Sequence, residues 1–178
     1  MGFFLLSNAT MALPASAGVS SLPSYAVTLT AYNAVPSQTD GNPFVTAAGI
    51  YSNPEIVAAR SRDLAKELPF GTIIEINVST ESGGLCGYDI VEPIIGYRVI
   101  ADTMNARFTD YIDILFSTKS NYTMTDGTVK NASPILGVCN NVTVQVVGSI
   151  DLKDAKHLPK TQADLAALVR GGSALALR

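Results

Sequence analysis

A series of short β-type segments, separated by turn residues, most constrains how this chain can fold. Residues 25–32, 73–78 and 141–147 alternate apolar and polar side chains and are rich in β-branched residues. Shorter apolar runs at 56–59, 88–91, 97–101 and 112–116 also read as β-type segments. Six or seven strands, without a helical pattern long enough for a crossover, favour an all-β barrel or sandwich over an α/β fold.

The length of 178 residues and the 47% hydrophobic content predict one domain with a substantial core. We place that domain at residues 24–149. A short helical turn is expected at 64–68, whereas 117–133 is polar and shows no periodicity. Residues 150–178 form a different, C-terminal segment in which 162–169 would make about two helical turns. We expect this tail to be a mobile appendage of the domain.

The first residues resemble the end of a secretory signal peptide. A short apolar run precedes the small-residue site Ala15-Ser16-Ala17, which predicts a leader over residues 1–17 and an exported protein. A disordered leader is the alternative. No run reaches the ~20 apolar residues that a membrane span needs.

Cys86 and Cys139 are the two cysteines, and in an exported protein an even number makes a disulfide plausible. Two separate buried thiols are the alternative. With no histidine nearby, these cysteines do not predict a zinc site, and we expect neither metal nor cofactor.

Charge and composition exclude several functions. The net charge is −3, the pI is near 5.0, and the twelve basic residues are scattered, which argues against a nucleic-acid partner. The single histidine, His157, lies in the tail, so a Ser-His-Asp or Cys-His arrangement is improbable. An uncharged polymer such as a glycan remains compatible with this composition, and we expect a monomer.

Residues 100–116 concentrate the candidate chemistry. Asp102 follows one β-type run and Asp113 lies inside the next, with Asp110 between them. Carboxylates within strands are costly unless they are paired, solvated in a cleft or functional, and a strand–turn–strand unit of this kind suits general acid–base catalysis. Aspartate is also common in turns, where it caps backbone N–H groups, and we interpret Asp110 and Asp40 in that way.

Several segments in this order resemble the 3D domain, a family named for three aspartates and related to the catalytic domain of the membrane-bound lytic transglycosylase A and to the rare lipoprotein A group. They are Thr30-Ala-Tyr32, Thr46-Ala-Ala-Gly49, Val57-Ala-Ala-Arg-Ser-Arg-Asp63, Leu68-Pro-Phe-Gly-Thr72, Ile100-Ala-Asp-Thr-Met-Asn105 and Tyr111-Ile-Asp-Ile-Leu-Phe116. The resemblance implies a six-stranded double-psi β-barrel that acts on peptidoglycan in the bacterial cell envelope, periplasmic or extracellular. Its three aspartates would be Asp63, Asp102 and Asp113.

The activity that this resemblance implies is that of a lytic transglycosylase. Such an enzyme cleaves the bond between N-acetylmuramic acid and N-acetylglucosamine and leaves a 1,6-anhydro ring, so one carboxyl group can act first as acid and then as base. We expect Asp113 to be that group, assisted by Asp102 and Asp63. The expected substrate-binding residues are Tyr32, Thr46, Thr103, Asn105 and Arg107. A non-catalytic, expansin-like glycan-binding barrel and a glycoside hydrolase of the same fold are the alternatives.

Overall fold

A computed structural model describes residues 22–39, 41–79, 86–154 and 156–172, and six of its strands close into a hydrogen-bonded ring. The expected leader at 1–17 and Asp40 lie outside the described residues. The ring strands are β1 (Ser24–Asn33), β2 (Val57–Arg60), β3 (Thr72–Val78), β4 (Arg98–Thr103), β5 (Tyr111–Phe116) and β8 (Cys139–Ser149), in the order β1-β5-β2-β4-β3-β8. The remaining elements are the hairpin strands β6 (Asn121–Thr123) and β7 (Val129–Asn131), the helices α1 (Tyr88–Val91), α2 (Ala132–Leu136) and α3 (Gln162–Arg170), and two 3₁₀ turns at Asp63–Ala65 and Glu92–Ile94. The fold is therefore a small all-β one, as the alternating pattern predicts.

The ring mixes parallel and antiparallel neighbours. β1 pairs in parallel with β5, and β2 pairs in parallel with β4, whereas the other neighbours are antiparallel. β2 is a central strand of four buried residues, hydrogen bonded to β4 on one side and to β5 on the other. Its first three residues are apolar, as a strand covered on both faces requires, and the buried guanidinium of Arg60 donates to backbone carbonyls.

Alternation along the strands divides the core into two apolar clusters. In β4, Ile100 belongs to the first cluster, while Val99 and Ala101 belong to the second, because successive side chains point to opposite faces. In β2, Ala58 joins the first cluster and Ala59 the second. The second cluster also contains Tyr32, Leu115 and Leu165, and its face of the ring carries the candidate site.

Two short segments differ from the sequence-based expectation. Residues 88–91, expected as a strand, form helix α1, because a stretch of only four residues is too short for periodicity to separate a strand from a helical turn. This helix buries Val91 and leaves Ile90 45% exposed. The polar stretch 117–133 contains the β6–β7 hairpin instead of an irregular loop.

The described part of the C-terminal segment is docked on the ring, which differs from the mobile appendage expected. Leu165 of α3 is fully buried in the second cluster. The side-chain amide of Gln162 donates to the carbonyls of Ile95 and Tyr97 at 3.2 and 2.9 Å. A capping box between Thr161 and Asp164 begins the helix. Burial and hydrogen bonds thus stabilise a helix that its own length of nine residues would not.

A disulfide joins Cys86, just before α1, to Cys139 at the start of β8, with Cα atoms 5.4 Å apart. Beside it, a Cβ built on Gly87 would lie 1.9 Å from the carbonyl oxygen of Ile135, so the backbones approach too closely for any other residue. Within the described residues, no helix combines the length and the apolarity that crossing a bilayer demands.

Candidate active site

The two strand aspartates lie in one row across the ring. Ala59 of β2 is paired with Asp113 of β5 on one side and with Asp102 of β4 on the other, and Thr30 of β1 is paired with Asp113. Residues paired across neighbouring strands point to the same face. The row Thr30–Asp113–Ala59–Asp102 therefore presents both carboxyl groups to the same side, with a small methyl group between them.

A register shift makes this row possible. Between Ala58 and Ala59 the pairing of β2 with β4 advances by one residue, so that Ala59 is opposite Asp102 and not Ala101. Without this irregularity, Asp102 would follow the alternation of Ile100 and point toward the first cluster. β-Bulges commonly redirect a side chain in this way near functional sites.

The row opens into a polar groove of about 510 Å³. Of the residues expected to act at a site, Asp102, Asp113, Tyr32, Thr103, Asn105 and Arg107 line it. The groove is also lined by residues that no sequence pattern indicated, among them Gln38, Asn42, Ala59, Arg62 and Phe108. Their positions depend on the folding of the loop after β1 and of the β4–β5 connection, for which the sequence offers no periodic signal.

Asp113 has the properties of a group that can hold a proton near neutral pH. Burial, followed by the negative charge of Asp102, raises the pKa of Asp113 to about 6, although the Thr30 hydroxyl opposes this shift by donating to its Oδ1 at 2.8 Å. A carboxyl group of this kind is protonated in a useful fraction of molecules at mildly acidic pH. It can therefore act as a general acid and, once ionised, as a base.

Asp102 is held as a hydrogen-bond acceptor. Its Oδ2 accepts from the Tyr32 hydroxyl at 2.9 Å, and its Oδ1 accepts from the backbone amides of Ala47 and Thr103, each at 2.9 Å. These three donors fix the orientation of the carboxyl group at the groove. Asp102 is thus an oriented hydrogen-bond acceptor that faces the groove beside Asp113.

Tyr32 supports Asp102 and offers little surface for a sugar to stack on, since only 8% of it is exposed. Burial and the charge of Asp102 raise the pKa of its phenol, so the hydroxyl remains a donor. Period-two alternation along β1 places Thr30 and Tyr32 on the same face, each bonded to one of the two aspartates. The alternation of β1 could have indicated that Thr30 shares a face with Tyr32, but the sequence could not indicate that Thr30 binds Asp113.

Asp63, the third aspartate that the resemblance implies, does not line the groove described above. It begins a 3₁₀ turn at Asp63–Ala65, and its Oδ2 accepts from the backbone amide of Asp110 at 3.0 Å. Burial works against the charged form, but hydrogen bonds from the Ser61 hydroxyl and the Asp110 amide prevail and lower the pKa of Asp63. Asp110 has φ = 58°, the left-handed conformation of a turn residue, which agrees with its interpretation as one. Asp63 therefore stabilises the β4–β5 connection through its hydrogen bond with the Asp110 amide.

Thr46 is buried and bonds locally to Ile50, with its hydroxyl donating to the Ile50 carbonyl at 3.2 Å. It is not among the side chains that line the described groove. Its turn nevertheless positions the neighbouring Ala47 amide that binds Asp102. Thr46 therefore acts indirectly, by holding the turn whose amide binds Asp102.

Within the described residues, no group of three or more His, Cys, Asp or Glu side chains is arranged to hold a metal ion. The chemistry that the groove offers is proton transfer by Asp113 beside a fixed carboxylate. No protein-family model matches the sequence, and no curated protein matches it either.

Proposed function

We propose that this protein is an exported peptidoglycan lytic transglycosylase with Asp113 as its acid and base. The observation that carries the proposal is the row across the ring. In this row Asp113, with a pKa of about 6, and Asp102 face an open polar groove, and only Ala59 lies between them. The order of motifs that resembles the 3D domain supports the same assignment. So do the two parallel strand pairs in a six-stranded ring, which are compatible with a double-psi β-barrel.

The proposed reaction begins with protonated Asp113. It gives its proton to the glycosidic oxygen as the bond to C1 of N-acetylmuramic acid breaks, and the negative charge of Asp102 stabilises the oxocarbenium-like centre. The 6-hydroxyl of the same sugar attacks C1 while the Asp113 carboxylate removes its proton. The products are a 1,6-anhydro end and a free 4-hydroxyl, and Asp113 is protonated again.

A hydrolase of the same fold is the second candidate, favoured by the spacing of the row. Two strand intervals separate the backbones of Asp102 and Asp113, about 9–10 Å, which is near the carboxyl separation of inverting glycosidases. The three donors on Asp102 argue against it, because they occupy the carboxyl oxygens that would have to bind and orient the attacking water. The raised pKa of Asp113 favours catalysis over binding alone, because proton transfer requires such a group and glycan binding does not.

Digestion of purified sacculi, with mass spectrometry of the soluble products, tests the proposal. We expect anhydro-muropeptides from the wild type, none from Asp113→Asn, and unchanged products from the matched control Asp126→Asn on the exposed β6–β7 turn. Reducing ends would identify a hydrolase, and binding with intact sacculi would identify a binding barrel. Undiminished anhydro products from Asp113→Asn would contradict the assignment of the acid.

A further inference from the structure

Two arginines face the same groove as the two aspartates. Arg62 follows β2, and Arg107 lies in the β4–β5 connection, so that separate segments bring their side chains to one cavity. Both residues are exposed. Among the described residues, the only ion pair within 4 Å joins His157 to Asp154, so neither guanidinium has a described carboxylate partner.

The local contacts of Arg107 leave its donors available. Its guanidinium lies over the Phe108 ring at 4.8 Å from the centroid, and Phe108 packs against Tyr111 at 5.1 Å. Stacking uses the flat face of the guanidinium, whereas its N–H groups point outward in the plane. The aromatic pair thus limits the motion of Arg107 without consuming its hydrogen-bonding capacity.

The other arginines of the barrel show how different this arrangement is. Arg60 and Arg98 are 7% and 1% exposed, and their guanidinium groups donate to backbone carbonyls such as those of Leu68 and Ile95. The guanidinium groups of Arg60 and Arg98 thus find their hydrogen-bond acceptors within the protein. Arg62 and Arg107 instead offer two forked donors to whatever enters the groove.

We propose that Arg62 and Arg107 form a clamp for a carboxylate carried by the glycan, so that the substrate is an acidic strand and not a neutral one. This inference rests on the function proposed above. Paired guanidinium groups fit planar carboxylates through parallel N–H···O bonds, and their charge offsets the repulsion that Asp102 would exert on an anionic substrate. N-acetylmuramic acid supplies such a group through its lactyl arm. The carboxylate is either the free lactyl group of a strand without peptides or a carboxylate of an attached stem peptide.

Binding to the Asp113→Asn protein tests the clamp without turnover. Three probes are compared by calorimetry: glycan strands stripped of peptides, the same strands with their lactyl carboxylates converted to methylamides, and strands that retain their stems. We expect the methylamide strands to bind about tenfold more weakly than the better of the acidic strands. Tighter binding of the stripped strands identifies the lactyl carboxylate, and tighter binding of the stem-bearing strands identifies a stem carboxylate.

Variants in the same background separate the clamp from general effects of charge. Arg62→Gln and Arg107→Gln should each remove most of the preference for acidic strands, and Arg107→Lys should restore only part of it, because a lysine cannot bind in the forked manner. Arg170→Gln, which removes the same charge from the exposed end of α3, should leave the preference unchanged. Equal binding of acidic and methylamide strands by the parent protein overturns the clamp, whatever the sacculus digestion gives. Absence of binding to every strand likewise overturns the clamp, whereas the proposed function is overturned only if the wild type releases no anhydro-muropeptides.

Discussion

Replacing Asp113 by asparagine should remove the pH dependence that this residue imposes on stability. Folding raises the pKa of Asp113 from 3.8 to about 6, and a tenfold change in proton affinity corresponds to ~1.4 kcal/mol, so its ionised form costs the folded state ~3 kcal/mol. Asparagine is close in size, cannot ionise, and can accept the Thr30 hydrogen bond through its carbonyl oxygen.

The direction of the pH dependence follows from which state, folded or unfolded, keeps the Asp113 proton to higher pH. Because the folded pKa is the higher one, the folded protein retains the proton between pH 3.8 and about 6 while the unfolded chain has lost it. The stability contributed by this proton is complete below pH 3.8 and disappears as the pH rises through 6. Asp113→Asn should therefore gain ~3 kcal/mol relative to the wild type between pH 3.5 and pH 7.5.

Urea denaturation followed by circular dichroism at pH 3.5, 5 and 7.5 measures this difference for the two proteins. The control is Asp126→Asn, because hydrogen bonds from Thr128 lower the pKa of the exposed Asp126 and its removal should change stability with pH in the opposite direction. A difference between wild type and Asp113→Asn that stays constant from pH 3.5 to 7.5 would refute the reasoning. The assignment of Asp113 as the acid would then lose its physical basis.

The fold and the site support three further predictions. Ala59→Leu should fill the space between the two carboxyl groups and reduce release of anhydro-muropeptides more than tenfold, measured by the sacculus digestion, while a preserved circular dichroism spectrum verifies folding. Reduction of the Cys86–Cys139 disulfide, which closes a span of 53 residues, should lower the unfolding free energy by ~4 kcal/mol in urea titrations, and an unchanged midpoint would contradict this. Leu165→Ala should cost ~2–5 kcal/mol, because its side chain is fully buried against the ring, and a loss under ~1 kcal/mol would mean that α3 does not dock in solution.

Sequence patterns located most strands because period-two alternation and turn residues act over a few neighbours. The expected segments 25–32, 73–78 and 141–147 correspond to β1, β3 and β8, each extended by one or two residues at one or both ends. The same patterns failed at 88–91, where a strand was expected and a short helix forms. In the tail they predicted the helical turns at 162–169, which correspond to α3, but not the docking of that helix through Leu165 and Gln162.

The candidate site divides in a similar way. Its two strand aspartates were recognisable from the sequence, since carboxyl groups inside β-type runs are costly and therefore conspicuous. Their convergence was not, because it depends on a shift of one residue in the pairing of β2 with β4. Two expected roles also differ in the structure. Tyr32, expected to bind substrate, donates a hydrogen bond to Asp102, and Asp63, expected at the catalytic site, stabilises the β4–β5 connection.

Local sequence patterns were thus sufficient to indicate an all-β chain and the strands that carry Asp102 and Asp113. The position of Ala59 between these residues, the burial that lets Asp113 retain a proton, and the presence of Arg62 in the same groove follow only from the folded chain. The two kinds of information differ in their range along the chain. Side-chain alternation is local, whereas strand register, burial and the electrostatic environment of a carboxyl group are set by segments that are distant along the chain.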